Sequence, residues 1–181
     1  MITPSQGVLL IANPFLKDPN FMRTVIFLCE HHAEGTLGFV LNKKYSKTLK
    51  ELLPEVDDPD IPVYHGGPVQ METIHFLHLY PDLGGEEVMQ GIFWGGNFET
   101  LLPLMRSSEI DLNRIRFFIG YSGWSAGQLE DELKEKSWLT VQAIRKLIFN
   151  SQPEDTWKAS LTHLGGEYKM MVNFPIDPQL N

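Results

Sequence analysis

The most constraining feature of this chain is a succession of short apolar runs, β-branched or aromatic-rich, closed by turn residues. They are GVLLIA (7–12), TVIFLC (24–29), TLGFVL (36–41), IPVYHGG (61–67), TIHFLHL (73–79), EVMQGIFW (87–94) and RIRFFIG (114–120). Each is long enough for a strand and too short for a packed helix. Regular helical crossovers of the kind that join parallel strands do not separate them. A doubly wound parallel sheet is therefore a poor fit, and the pattern predicts an α+β fold. The second and third runs are joined by EHHAEG, whose Gly35 suits a hairpin connection longer than two residues.

Helical signals are fewer. Ser46 is placed to cap a short helix through Leu53, with Pro54 as its stop. Asn97 is placed to cap another through about Arg106, which Pro103 should kink or end. QLEDELKEK and AIRKLIF have helical spacing, and Ser151 with Glu154 forms a capping-box pair for a last helix stopped by Gly165-Gly166. SWLTV (137–141) and YKMMVNF (168–174) read as further strands.

The chain has 181 residues, which suits one domain over 1–181, and its 43% apolar and 21% charged residues are those of an ordinary globular protein. MITPSQGVLLIANPF lacks a basic leader, and no stretch reaches the roughly 18 apolar residues of a membrane span, so neither a signal peptide nor a membrane partner is expected. The single cysteine, Cys29, cannot form an internal disulfide, which suits a reducing compartment and a cytoplasmic location. The 23 acidic residues outnumber the 15 Lys and Arg, for a net charge of -8. Sequence-specific DNA binding is not expected from such a balance. The local exception is NKKYSKTLK, whose Lys43, Lys44, Lys47 and Lys50 read as a solvated helix face.

Gly123-Trp124-Ser125-Ala126-Gly127 spells G-x-S-x-G, the pattern of a nucleophile elbow. In an elbow the strand runs almost directly into the first glycine. Here the apolar run should stop near Gly120, and Ser125 and Gln128 are spaced as a helix capping box. Glu130/Lys134 and Glu132/Lys136 would then be i,i+4 ion pairs. A triad could be written from Ser125, Asp155 and His163. The last two, however, would lie eight residues apart on one helix, about 12 Å along its axis. No catalytic residue is therefore assigned.

Cys29 and His31 should alternate onto one side of a strand, with His32 following. A zinc ion needs about four ligands, and this segment offers two, so neither a metal nor another cofactor is expected. HGGPV and WGGN match no phosphate-binding fingerprint and read as turns.

Taken in order, ANPFLKDPNFMRTVIFLCEHHAEGTLGFVLNK, HGGPV, GYSGWSAGQLEDELKEKSWL and FNSQPEDTWKASLTHLG resemble the blocks of the bacterial AlgH/YqgE family, nearly end to end. One departure is Lys44, where the family pattern often has proline after the Asn-Lys pair. The resemblance implies a single α+β domain whose bifurcated, mostly antiparallel sheet folds into a pseudo-barrel with surrounding helices. It implies no established chemistry; one branch carries a transcriptional-regulator label without a recognisable DNA-binding motif. Its polar and aromatic motif positions here, Asp18, Arg23, Glu30, His31, Asn42, Tyr121, Trp124 and Gln128, are the candidate ligand-binding residues. They could equally form a hydrogen-bonded network that holds loops to the sheet. The expected function is a non-catalytic regulatory protein that binds a small ligand or a protein partner. The rival is a small hydrolase or nucleotide-processing enzyme.

Overall fold

A computed structural model describes residues 1–175. The strands are β1 (Val8–Ala12), β2 (Val25–His32), β3 (Gly35–Val40), β4 (Lys44–Thr48), β5 (Pro62–His65), β6 (Val69–His78), β7 (Glu86–Met89), β8 (Ile92–Trp94), β9 (Ile115–Ser125) and β10 (Trp138–Gln142). The helices are α1 (Leu49–Leu52), α2 (Phe98–Arg106), α3 (Gln128–Lys134), α4 (Arg145–Phe149), α5 (Pro153–Leu164) and α6 (Tyr168–Met171). The strands hydrogen-bond into one sheet in the order β10-β1-β2-β3-β9-β6-β8-β7, with β5 parallel to β9 and β4 antiparallel to β5. All other pairings are antiparallel.

Strand β9 is where the sheet divides. Ser122–Ser125 pair with β3, Phe117–Ile119 pair with β5, and Ile115–Tyr121 pair with β6. The backbones come very close at this fork. A Cβ on Gly66 would lie 2.4 Å from the Gly120 carbonyl oxygen, and one on Gly120 (φ +67°) would lie 2.4 Å from that of Gly67. Only glycine leaves room for such an approach.

The sheet curls until its two ends meet. The Gln6 side chain donates to the Glu87 carbonyl (3.0 Å), and Gly7 packs against Met89. The inner face carries Leu9, Phe27, Phe39, Leu77 and Phe118, covered by Leu147 and Ile148 of α4 and Trp157 and Leu161 of α5. Outside, Leu10, Ile26 and Leu28 pack under Leu129 of α3, while Phe76, Phe117 and Ile119 pack under α1 and α2. β1 is buried on both faces, which explains its unbroken apolar run. The α+β reading and the curled, mostly antiparallel sheet are as expected.

Several local expectations differ. EVMQGIFW is a hairpin, β7 and β8, turning at Gln90-Gly91 with Gly91 at φ +78°. The β2–β3 connection is the two-residue turn Ala33-Glu34 rather than a longer one. Lys44–Thr48 is a strand on β5, so the helix there shrinks to α1, where Glu51 accepts from the Thr48 N–H (2.7 Å). α2 starts at Asn97, whose side chain accepts from the Thr100 N–H (3.0 Å), and runs through Pro103 to Arg106. α5 is capped by Gln152 with Pro153 in its first turn, one residue after the expected Ser151. YKMMVNF begins with α6 instead of a strand: Tyr168, Met171 and Val172 sit at helical spacing and pack on the inner core.

Two predictions follow from this packing. Gly66 has no positive φ, so any cost of Gly66→Ala arises from crowding against immovable backbone and should exceed about 3 kcal/mol. Gly127 (φ +78°, ψ -12°) is left-handed with open space around it, and Gly127→Ala should cost only about 1–2 kcal/mol of backbone strain. Urea unfolding of both variants checks this, and equal losses would contradict it.

His78 is fully buried; its Nδ1 accepts from the Tyr80 N–H (3.1 Å), so its Nε2 carries the proton donated to the Gly95 carbonyl (2.6 Å). Burial lowers its pKa, and that of His75 and His65, below the ordinary value of about 6.5. The unfolded chain then binds protons that the native state does not, so stability should fall as pH drops below about 6.5. Urea midpoints measured from about pH 7.5 to about 5.5 should decrease; a flat or rising series would contradict this.

Candidate functional site

β9 presents Trp124 on the outer face of the sheet, and its Nε1 donates to Glu132 Oε2 of α3 (2.9 Å). Trp138, the first residue of β10, donates its own indole N–H to the same oxygen (2.7 Å). Gln128 Nε2 donates to Glu132 Oε1 (3.0 Å), while Gln128 Oε1 accepts from the Ser125 N–H (3.0 Å) and hydroxyl (3.3 Å). Phe21 packs on both indoles, with ring centroids 6.4 and 5.7 Å away. Beside this group, His31 Nδ1 pairs with the Thr36 hydroxyl (2.7 Å) and Nε2 with Glu130 (3.4 Å). Three of the eight candidate residues, His31, Trp124 and Gln128, thus fasten α3 to the sheet.

The hub of that network, Glu132, was expected to pair with Lys136. The helix ends at Lys134 and Lys136 turns away at φ +60°, which leaves the carboxylate free for the indoles. Glu130 pairs with His31 in place of Lys134, which bonds Asp131 (3.0 Å). The capping box is also only half present. Gln128 reaches back to the Ser125 N–H, but the N-cap is Gly127 (φ +78°), because β9 extends through Ser125 instead of stopping near Gly120. Ser125 lacks the left-handed backbone of an elbow, and His163 bonds the Gln142 carbonyl (3.1 Å). The Ser125–Asp155–His163 arrangement is not assembled.

Of the other candidates, Glu30 and Tyr121 share an open surface with Trp124, whereas Arg23, Asn42 and Asp18 lie apart from it. Arg23 (φ +54°) places its guanidinium 4.2 Å from the Trp157 ring on the inner side and donates to the Phe174 carbonyl. Asn42 fixes the start of β2, donating to the Arg23 carbonyl (2.8 Å) and accepting from the Val25 N–H (2.9 Å). Asp18 closes its own turn onto the Asn20 N–H (2.8 Å). Glu30 and Tyr121 line a shallow, open surface at the β3–β9 rim.

The expected alternation of Cys29 and His31 fails because β2 has a bulge: Leu28 faces Gly38, Glu30 faces Leu37, and Cys29 has no partner. Cys29 belongs to the inner core, whereas His31 joins Thr36 beside α3. Burial, with Glu30 and Glu86 nearby, pushes the Cys29 thiol up, so it stays protonated. Among the described residues no three His, Cys, Asp or Glu groups are placed to hold a metal.

The cleft with the strongest chemical character was not singled out from the sequence. A cavity of about 300 Å³ opens between the start of β9, β5 and the α4–α5 junction, with Tyr64, Leu112, Phe149, Ser151 and Gln152 among its walls. Arg116 stands in it with only 7% of its surface exposed. Its Nη1 donates to the Leu41 carbonyl (3.2 Å), its Nη2 to that of Ser151 (3.4 Å), and the guanidinium lies 4.2 Å from the Tyr64 ring centroid. No carboxylate of the described residues pairs with it. Burial lowers its pKa, yet a guanidinium remains charged at neutral pH. A buried cation without a counter-charge is costly, and the described residues give this one two carbonyls and an aromatic ring but no anion. The signal in the sequence was a charge in the apolar run RIRFFIG, two residues before the inward-facing Phe118.

The network around Glu132 yields a prediction. Glu132→Gln should cost about 1–3 kcal/mol, since one of two acceptor oxygens becomes an N–H that must face either the indoles or the Gln128 amide N–H. Ser125→Ala should change stability by less than about 0.5 kcal/mol, because the hydroxyl caps no backbone N–H. Chemical denaturation of the two variants checks both, and the reverse order would contradict the assignment.

Comparison with known proteins agrees with this architecture. A family model described as AlgH-like matches residues 9–169. The UPF0301 protein of Chlorobium luteolum is 44% identical over 177 residues, covering 97% of this chain and 94% of that protein. A UPF0301 protein of Chlorobaculum tepidum is 45% identical, covering 97% and 95%. The solution structure of AlgH from Pseudomonas aeruginosa superposes with a TM-score of 0.75 at 30% identity, covering 97% of this chain and 98% of that one. A crystal structure of a Corynebacterium diphtheriae protein, at 21% identity and a TM-score of 0.78 over 96% and 94%, shares the fold. The chain belongs to the AlgH-like family.

Proposed function

We propose that this is a non-catalytic, cytoplasmic, regulatory binding protein, and that its pocket at Arg116 receives a small ligand bearing negative charge. The observation that carries this reading is the guanidinium itself. It is almost wholly buried, borders a cavity, and is paired with no carboxylate among the described residues. Two of its five N–H groups donate to main-chain carbonyls, which leaves three without a carbonyl or carboxylate among the described residues. α5, twelve residues long, begins at the pocket wall, and the positive end of its dipole adds to the attraction for an anion.

A binding role also agrees with the way the motif residues are used. His31, Trp124, Gln128 and Asn42 are engaged within the chain, and the Ser125 hydroxyl donates to the Gln128 carboxamide oxygen. Such side chains support a rigid frame rather than a reacting centre.

Thermal unfolding in a panel of organic and inorganic anions at fixed ionic strength tests the reading. A ligand that binds the native state at one hundred times its dissociation constant stabilises by about 2.7 kcal/mol. At least one anion should therefore raise the melting temperature of the parent protein but not of Arg116→Gln. A panel that leaves both unchanged, or raises both equally, would contradict it.

A further inference from the structure

We infer that the ligand of the Arg116 pocket is a monocarboxylate carried on an apolar or aromatic body, rather than a phosphate ester or an inorganic oxyanion. The inference rests on the reading of this pocket as an anion site and adds the chemistry of the anion.

Charge matching comes first. Arg116 is the only charged side chain among the residues forming the pocket wall. A monoanion is neutralised by the single guanidinium. A phosphate monoester carries about 1.5–2 charges at neutral pH, so its excess charge would enter a half-enclosed site whose described walls hold no second cation. Taking an uncompensated charge out of water is expensive.

Shape points the same way. A guanidinium offers donors in one plane, and a planar carboxylate accepts two of them side by side. Tyr64 already covers one face of the guanidinium, which holds that plane in a fixed orientation.

The walls supply the second half of the ligand. Asn113, Asn150 and Gln152 make part of the wall polar, and its apolar surface is chiefly that of Leu112, 44% exposed, because Ile61 and Phe149 are themselves buried. A bare oxyanion would leave that surface wet, whereas an apolar body would cover it. A volume of about 300 Å³ lies at the small end of ligand sites and suits a compact aromatic or branched acid.

The test is a ¹H–¹⁵N NMR titration of the full chain at pH 8 with sodium benzoate, benzamide, phenyl phosphate and inorganic phosphate. Benzoate should shift the Tyr64, Arg116 and Ser151 amides saturably and bind at least about tenfold more tightly than the other three. Arg116→Gln should abolish this with the rest of the spectrum retained, and Arg116→Lys, which keeps the charge without the planar fork, should weaken it by about tenfold. Phenyl phosphate or inorganic phosphate binding as tightly as benzoate, with that binding lost in Arg116→Gln, would overturn the carboxylate inference and leave the anion site standing. Benzamide binding as tightly as benzoate, no binding by any anion, or binding indifferent to both Arg116 variants would overturn the anion site and the inference with it.

Discussion

Strand β9 hydrogen-bonds to β3 with its last residues and to β5 and β6 with its first, and this division depends on backbone passing backbone at Gly66, Gly67 and Gly120. Any side chain at Gly66 or Gly120 would sit inside the van der Waals radius of a carbonyl. The fork sends β3 toward one wall of the curl and β5–β6 toward the other. It therefore sets where the inner core lies and which outer faces need covering by α3 or by α1 and α2. It also fixes the two ends of β9: Trp124 leaves the fork toward α3, and Arg116 enters it from the α4–α5 side.

At the Trp124 end Glu132, Gln128 and His31 find their partners within the chain. Glu132 gathers two indoles and a carboxamide, and His31 bridges Thr36 and Glu130. Networks of this kind, here half-buried, are stabilising when each member is satisfied. At the Arg116 end the chain supplies two carbonyls and an aromatic face but no opposite charge. The same strand thus carries a completed polar site at one end and an incomplete one at the other.

The strand-rich α+β architecture was legible because its signals are local: apolar runs, glycine turns and the Asn97 cap. What escaped depends on partners distant in sequence. The bulge at Cys29 exists only as a mismatch between β2 and β3, so simple alternation wrongly put Cys29 and His31 on one face. Glu132 matched the i,i+4 template for Lys136, and nothing local shows that two indoles lie across from it. GYSGWS lacked the apolar density of a strand, although its buried residues Gly120, Ser122 and Trp124 alternate with more exposed ones as a half-buried strand requires. YKMM carries residues that suit either strand or helix, and their packing on the inner core decided for helix. Arg116 was visible as a charge in an apolar run, but its meaning came only from the cavity beside it.

The central claim is that Arg116 is kept for a ligand at the expense of the free protein, as functional positions often are. Equilibrium unfolding of ligand-free Arg116→Met tests it most directly. Methionine fills similar space without a charge, and water entering from the cavity can satisfy the Leu41 and Ser151 carbonyls. The variant should be as stable as the parent to within about 1 kcal/mol, or more stable, as when buried charges are replaced by apolar residues. A loss of more than about 3 kcal/mol would show that the guanidinium is a strut of the fold, and would contradict the account.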